Sequence, residues 1–328
     1  MATVGAFFYS QLFVTPPKPT TDLTGKTVLV TGSNVGLGKE AARHYTRLNA
    51  STVILCVRSL EKGEAARLDI ESSTGRTNVV KVMHLDMSSY ASVLDFARQA
   101  SESLSRLDIA ILNAGVLRKT WEIYEQDEST ITVNVVSTFL LAFALLPKMR
   151  DTATKFNTRP TLTIVSSEVH HWTKFKERLA PEGHLFERLN QKEVAGKKVS
   201  MQDRYMVSKL LEVLFVRAFC ERNSAERVPV TVNLINPGLC QSEFGREAPF
   251  FDAIFRFLLG RTTEVGSRTL AHAGLQGAES HGKYLSDCKI EEPSSYVRSA
   301  EGKKDQQRVW TELVAKLEAI KPGITEGY

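Results

Sequence analysis

Thr27-Val-Leu-Val-Thr31-Gly32-Ser33-Asn34-Val35-Gly36-Leu37-Gly38 is the stretch that decides the fold of this chain. Its first five residues are apolar and β-branched, the composition of a short buried strand. Three glycines follow within seven residues, and Lys39-Glu-Ala-Ala-Arg-His-Tyr-Thr-Arg-Leu48 then reads as a helix. Strand, glycine turn and helix form the context in which a dinucleotide phosphate is bound. Gly32 permits the tight turn. Gly36 lets backbone approach a phosphate at the positive end of the helix dipole, and Gly38 allows close helix–strand packing. The spacing is G-x-x-x-G-x-G rather than G-x-G-x-x-G, and a glycine-rich turn without a ligand has the same local form. The surrounding sequence separates the two readings.

Moving outward, Ser51-Thr-Val-Ile-Leu-Cys-Val57 is a second buried strand. A site selective for NAD places Asp or Glu at that strand end, to bind the ribose 2′-hydroxyl. Here the positions are Val57 and Arg58, and a guanidinium fork suits a 2′-phosphate, so NADP(H) is the expected cofactor. A solvated loop arginine is the plainer alternative. Further strands are expected near 79–85, 108–112, 160–166, 229–235 and 283–286, with helices near 37–49, 89–104, 127–150 and 203–222. Alternating βα units predict one α/β domain over 1–328, a doubly wound Rossmann-type fold with a parallel seven-stranded sheet and helices on both faces. In such sheets the ligand lies beyond the strand C-termini. Gly32, Asn113, Ser167 and Pro237 all follow predicted strand ends.

The chemistry centres on Tyr205-Met-Val-Ser-Lys209. A Tyr and a Lys four apart on a helix point the same way. A free Tyr has a pKa near ~10, and a neighbouring ammonium pulls it down, so the pair can serve as a general acid/base. A serine hydroxyl nearby would hold the oxygen of a carbonyl or alcohol. Alone, Tyr-x-x-x-Lys also occurs on ordinary helices; its force comes from the glycine turn upstream.

Together these residues resemble the short-chain dehydrogenase/reductase family, over about residues 25–285, and within it most closely the fungal and retinol-dehydrogenase-like members. The resemblance implies that Gly32, Ser33, Asn34, Gly36, Leu37 and Gly38 form the cofactor turn. Asp86, with Met87, would contact adenine. Asn113-Ala114-Gly115 would stabilise the central strand and line the cofactor. It further implies that Asn134, Ser167, Tyr205 and Lys209 are catalytic. Tyr205 would donate the proton, Ser167 would fix the carbonyl oxygen, and Lys209 would hold the nicotinamide ribose. Asn134 would anchor a water that continues the relay. Pro237 and Gly238, in Asn236-Pro237-Gly238, would lie beside the nicotinamide ring. Ser242 stands where the family often has Thr. The activity implied is hydride transfer with a ketone or aldehyde, in the reductive direction, with secondary metabolism as the setting. The alternatives are an NADP-binding scaffold protein and a non-redox enzyme, such as an epimerase or cyclase, on the same fold.

The chain departs from the family most between Ser167 and Tyr205, which are usually about a dozen residues apart. The extra segment 168–204 carries His170, His171, Trp172, Phe175 and a helical-looking stretch near His184–Asn190. It is expected to cap the substrate mouth, with Trp172 and Phe175 as one wall. Residues 239–262, rich in Phe and Leu from Phe244 to Leu259, are expected as a substrate lid, and so much aromatic surface predicts a bulky apolar substrate. Residues 287–328 form a C-terminal helical extension. The stretch Leu210–Phe219 is apolar around most of its helix. It is expected to be buried, and to support either a homodimer or, where the tail covers it, a monomer.

Composition agrees with this reading. The net charge of +5 is mild, with no basic run interleaved with aromatics to suggest nucleic acid. Cys56, Cys220, Cys240 and Cys288 lack metal-like spacing, and neighbouring histidines rarely ligate one ion together, so no metal is expected. A reduced, cytoplasmic chain is the simplest expectation. The apolar run Val4–Val14 lies in an N-terminal arm, 1–24, and is too short to span a bilayer. It is expected to pack on the domain or on a partner subunit, with peripheral membrane contact as the alternative.

Overall fold

The computed structural model describes residues 4–194, 196–241 and 259–328. Its central sheet comprises β1 (Thr27–Thr31), β2 (Thr52–Val57), β3 (Val80–His84), β4 (Ile109–Leu112), β5 (Thr161–Val165), β6 (Thr231–Asn236), β7 (Tyr284–Ser286) and β8 (Lys289–Glu291). The spatial order is β8-β7-β6-β5-β4-β1-β2-β3, and every pairing is parallel except β7 with β8. The winding reverses between β1 and β4, which opens a crevice above their C-terminal ends.

The sheet therefore has eight strands, not the expected seven. The extra strand arises because Asp287 and Cys288 both take positive φ, 51° and 60°. A two-residue turn of that hand folds the chain straight back as an antiparallel hairpin. The usual glycine signal is missing from this turn, so it reads as a simple chain exit. β8 is exposed and carries Lys289 and Glu291, which suits a sheet edge.

The helices are α1 (Val4–Phe13), α2 (Gly36–Arg47), α3 (Leu60–Thr74), α4 (Tyr90–Ser103), α5 (Thr138–Phe156), α6 (Leu185–Leu189), α7 (Met201–Arg222), α8 (Thr263–Gly274) and α9 (Ala300–Ile320). The two-residue period of a strand sorts its side chains into two cores. Val28 and Val30 join Val53, Leu55, Tyr45, Ile70 and Leu270 under α2, α3 and α8. Leu29 joins Ile54, Phe96, Leu140 and Leu211 under α4, α5 and α7. The helix Ser129–Phe156 is long and apolar enough to cross a bilayer, but it is almost wholly buried in this second core.

The C-terminal helix α9 lies along the outer face of α7, where Trp310 stacks on Phe215 with ring centroids 5.0 Å apart. Tyr328 meets Phe219 at 5.8 Å. The tail thus occupies the very face of α7 from which a subunit contact was expected. Segment 168–204 divides into two parts. Residues Glu168–Trp172 border the crevice as a 3₁₀ turn and its cap. The remainder is clamped to α9: Glu312 accepts from the N–H groups of Gly183 (3.1 Å) and Leu185 (2.6 Å), and Arg308 donates to the carbonyls of Arg178 and Ala180, each at 2.8 Å. A fully buried Arg204 donates to Glu177 at 3.0 Å and ties this segment to the start of α7.

Candidate active site

The glycine turn has the conformation its sequence requires. Gly32 and Gly36 sit at φ of 63° and 62°, where a side chain is strained. A Cβ on Gly38 would lie 2.6 Å from both Asn113 Nδ2 and the Gly32 carbonyl oxygen. Asn113 Nδ2 donates to the carbonyls of Thr31 (2.9 Å) and Gly32 (3.2 Å), and Ala114 N–H donates to the Thr31 hydroxyl at 2.8 Å. Asn113-Ala114-Gly115 thus holds β4 against the turn. Helix α2 opens at Gly36, and the Val35 ahead of it supplies no side-chain cap. The first-turn N–H groups are therefore left to an anion at the dipole's positive end. These features fit a dinucleotide phosphate.

Ser33 is fully buried and its hydroxyl donates to the Val30 carbonyl at 2.8 Å, so only its backbone faces the crevice. Asn34 and Leu37 flank the turn, half-buried. Asp86 follows β3 by two residues and accepts from Ser88 N–H (2.9 Å) and hydroxyl (2.7 Å), which closes a local turn. The Met87 side chain is buried in the core, leaving its backbone for any adenine contact. Arg58 is exposed just past the end of β2, and its charge reaches Tyr124, whose hydroxyl accepts from Arg118.

Ser167 follows β5, and its hydroxyl lies near enough to the phenol of Tyr205 on α7 to lower that phenol's pKa. Tyr205 is half-buried: protein crowds it, while part of its surface stays open. Lys209 lies one turn along the same helix face, its ammonium 5.7 Å from the Tyr205 ring centre. Asn134 sits in a π-helical turn, Thr132–Ser137, that leads into α5. Its Oδ1 accepts from Val116 N–H at 2.8 Å, and its Nδ2 donates to the Val116 carbonyl (3.0 Å) and the Ser208 hydroxyl (3.1 Å). A Cβ on Gly115 would stand 3.3 Å from Asn134 Oδ1 and 3.9 Å from Lys209 Nζ. The structure thus brings Ser167, Tyr205, Lys209, Asn134 and Gly115 to one place.

Lys209 has a partner that the sequence reading missed. Its ammonium donates to the Val165 carbonyl at 2.9 Å and to Glu212 Oε1 at 2.8 Å, with both side chains almost wholly buried. Burial pushes the Glu212 carboxyl up to about 7, while the Lys209 ammonium draws it down. Tyr205 differs from expectation too. Burial raises its phenol first, the Glu212 carboxylate raises it further, and only the Ser167 hydroxyl lowers it. Lys209, expected to lower it, is itself paired with Glu212 at 2.8 Å. Residues 205, 208, 209 and 212 follow the spacing of one helical face. That signal was available, but it lies inside an otherwise apolar run.

Pro237 is buried at the end of β6, and Gly238 takes a φ of 77°. Asn236 Oδ1 accepts from Gly238 N–H (3.1 Å) and Glu168 N–H (3.2 Å), which joins this turn to the Ser167 strand end. Ser242 and the expected lid residues Phe244 to Leu258 lie outside the described residues. The ends of that stretch bond to each other: Gln241 N–H donates to the Arg261 carbonyl and Arg261 N–H to the Leu239 carbonyl, at 2.8 and 2.9 Å.

The N-terminal arm belongs to this mouth. In the amide orientation that satisfies both of its atoms, Gln11 donates to the Leu239 carbonyl at 3.0 Å and accepts from its N–H at 3.3 Å. Arg261 pairs with Asp287 at 2.6 Å and donates to the Ser10 carbonyl at 2.9 Å, while the Ser10 hydroxyl donates to Asp287 at 2.6 Å. Phe7 meets Trp172 edge-on, with ring centroids 6.2 Å apart. Of the two aromatic residues expected as a pocket wall, only Trp172 stands in the open, 49% exposed, whereas Phe175 is 1% exposed and packs in the core.

His170 is a structural histidine. It bonds to the Ser167 carbonyl through Nδ1 at 2.7 Å and accepts from Ser294 N–H through Nε2 at 3.1 Å. Burial lowers its pKa to about 3, so it is neutral at working pH. Among the described residues no three metal-ligating side chains come together.

Fold and site together define an α/β dinucleotide-binding oxidoreductase architecture, and the comparisons narrow the class. Residues 26–157 match the short chain dehydrogenase family. The chain is 55% identical to the short chain dehydrogenase/reductase dmxR8 of Cryptosporiopsis sp., over 98% of this chain and 99% of that protein. It is 42% identical to the short-chain dehydrogenase anuD of Penicillium roqueforti, over 97% and 84%. Its fold is similar to that of a short chain dehydrogenase from Burkholderia cenocepacia solved in complex with NADP, with a TM-score of 0.59 at 18% identity, over 81% and 97%. This chain belongs to the short-chain dehydrogenase/reductase family.

Proposed function

We propose that the protein is an NADPH-dependent ketone or aldehyde reductase acting on a bulky apolar substrate in secondary metabolism. The observation that carries this reading is the convergence of Ser167, Tyr205, Lys209 and Asn134 at the C-terminal end of β5 beside the crevice. Tyr205 keeps its proton at neutral pH because burial and a nearby carboxylate both disfavour the phenolate. That is the state a proton donor needs.

Gly32, Gly36 and the open start of α2 would hold the cofactor's phosphates, with Arg58 toward its 2′-phosphate and Gly238 beside its ring. The nicotinamide held there would supply the hydride chemistry. Ser167 donates a hydrogen bond to the substrate oxygen and fixes its position. Tyr205 gives that oxygen a proton. Lys209 and Asn134 line the path by which Tyr205 recovers one. Trp172 and Phe7 present apolar surface at the mouth, which suits a bulky substrate. The fungal origin of the two similar proteins and the NADP complex of the similar fold support the setting and the cofactor.

The test combines NADPH fluorescence on binding with NADPH consumption across a panel of bulky ketones and aldehydes. Tyr205→Phe should bind NADPH normally and lose roughly 10²–10⁴-fold in reduction, as befits a lost general acid. Near-normal turnover by this variant would assign the proton to another group. Binding without turnover across a broad panel, by the unmodified protein, would favour a scaffold role.

A further inference from the structure

Helix α7 presents Tyr205, Ser208, Lys209 and Glu212 on one face, at the i, i+3, i+4 and i+7 positions of a single stripe. The first three have evident work at the site. Glu212 does not, yet it is a carboxylate almost wholly removed from water and placed against the one cation of the stripe. Burying a charge is costly unless it is paired. The pairing is specific: two of the three ammonium protons of Lys209 go to Val165 O and Glu212 Oε1, at 2.9 and 2.8 Å. The Ser166 hydroxyl, at the end of β5, donates to the Lys209 carbonyl at 3.2 Å and holds the helix at this point. The second carboxylate oxygen, Oε2, is buried without a hydrogen-bond partner, so Glu212 is anchored chiefly through Lys209.

We propose that Glu212 is a positioning residue for proton transfer: it aims the Lys209 ammonium at the β5 terminus and cancels its charge, so that Tyr205 retains its proton. This rests on the reading that Tyr205 is the proton donor. The groups acting on Glu212 are Lys209 from its own helix and Ser166, the residue just past β5. Those acting on Tyr205 are Glu212 and Ser167. The consequence concerns direction. With the pair intact, the site favours protonating a carbonyl oxygen. With Glu212 made neutral, an uncompensated ammonium near Tyr205 favours the phenolate and hence the removal of a proton from an alcohol.

The experiment is an ultraviolet titration of the phenolate in the protein without cofactor, which needs no turnover. Glu212→Gln should gain one phenol that ionises at least about one pH unit below its wild-type value, before alkaline unfolding. Tyr205→Phe in the same background should remove that signal, and Lys209→Met should return the titration to the wild-type range. In the reductase assay, the basic limb of the Glu212→Gln pH profile should move to lower pH by a similar amount, with the KM for the carbonyl substrate unchanged. A folded Glu212→Gln protein with a wild-type titration and an unmoved limb overturns the proposal, whatever its thermal stability. If Glu212→Gln does not fold, Glu212→Asp takes its place. The shorter carboxylate should move the limb the same way by less, and an unmoved limb again overturns the idea. Should Tyr205→Phe prove active, the donor assignment fails separately, because the phenol titration would still report on the pair.

Discussion

The two halves of this chain are built by different means. In residues 26–157 the cofactor half is specified by backbone: positive φ at Gly32 and Gly36, a Gly38 with no room for a Cβ, and Asn113 bonded to the turn itself. In the remainder the decisive contacts are made by side chains that reach segments distant in sequence. Arg204 meets Glu177, Arg261 meets Asp287 and Ser10, and Arg308 and Glu312 clamp the segment before α7. The contrast has a functional sense. A cofactor common to a family can be met by fixed geometry. A substrate that varies is met by elements held on by a few replaceable ties.

Breaking a tie in the second half should therefore leave the first half intact. Glu177→Gln removes the one carboxylate that is hydrogen-bonded to the buried Arg204 guanidinium, leaving only the weaker fields of Glu128 and Asp203, and should cost up to about 3–5 kcal/mol. Denaturant unfolding should show that loss, and protease should cut earlier within 168–204. NADPH affinity of the folded fraction should hold. An equal loss of cofactor binding would mean that the halves are one cooperative unit.

A change confined to the first half should be smaller and cofactor-specific. Arg58→Ala should weaken NADPH by roughly tenfold or more, the worth of a charge-assisted phosphate contact of about 1.5–3 kcal/mol. NADH binding should be spared. Titrating both cofactors against both proteins decides the matter, since a parallel loss would remove Arg58 from 2′-phosphate recognition.

The smallest effect is expected at the mouth. Trp172→Ala removes one edge-on aromatic contact with Phe7, worth about 0.5–1.5 kcal/mol beyond its area. The KM of a bulky ketone should rise several-fold while the NADPH dissociation constant stays put. A small ketone that suffers as much would show that Trp172 acts through the position of Tyr205.

The same contrast explains what could be read from the sequence. Strand β1, its turn and α2 are contiguous, so a local pattern names them. Ser167, Asn134 and the Tyr205–Lys209 pair are legible because each follows a recognisable element. The eighth strand hides behind Asp287-Cys288, a turn with the right backbone but neither Asn nor Gly. Phe175 looked like a pocket residue by composition, yet its backbone at φ 42° turns it into the core. Glu212 is hard to pick out because Leu210–Phe219 reads as apolar around most of its helix, and a single buried carboxylate shows its role only beside its partner. The arm was expected to pack on the domain, and it does, but its partners at the mouth were not legible, since those ties depend on folding rather than proximity in sequence.

Those ties set an order of events. Ser10 and Asp287 stand 277 positions apart, and Arg261 bridges them. On the ribosome, α1 emerges long before Arg261 and Asp287 and must wait for these polar partners. Contacts of such long range form late, because the loop must close before they reward it. The contacts at the mouth of the site thus form late, between segments far apart in the sequence. A nascent chain halted before Asp287 would carry an assembled glycine turn and a first helix with nowhere to dock.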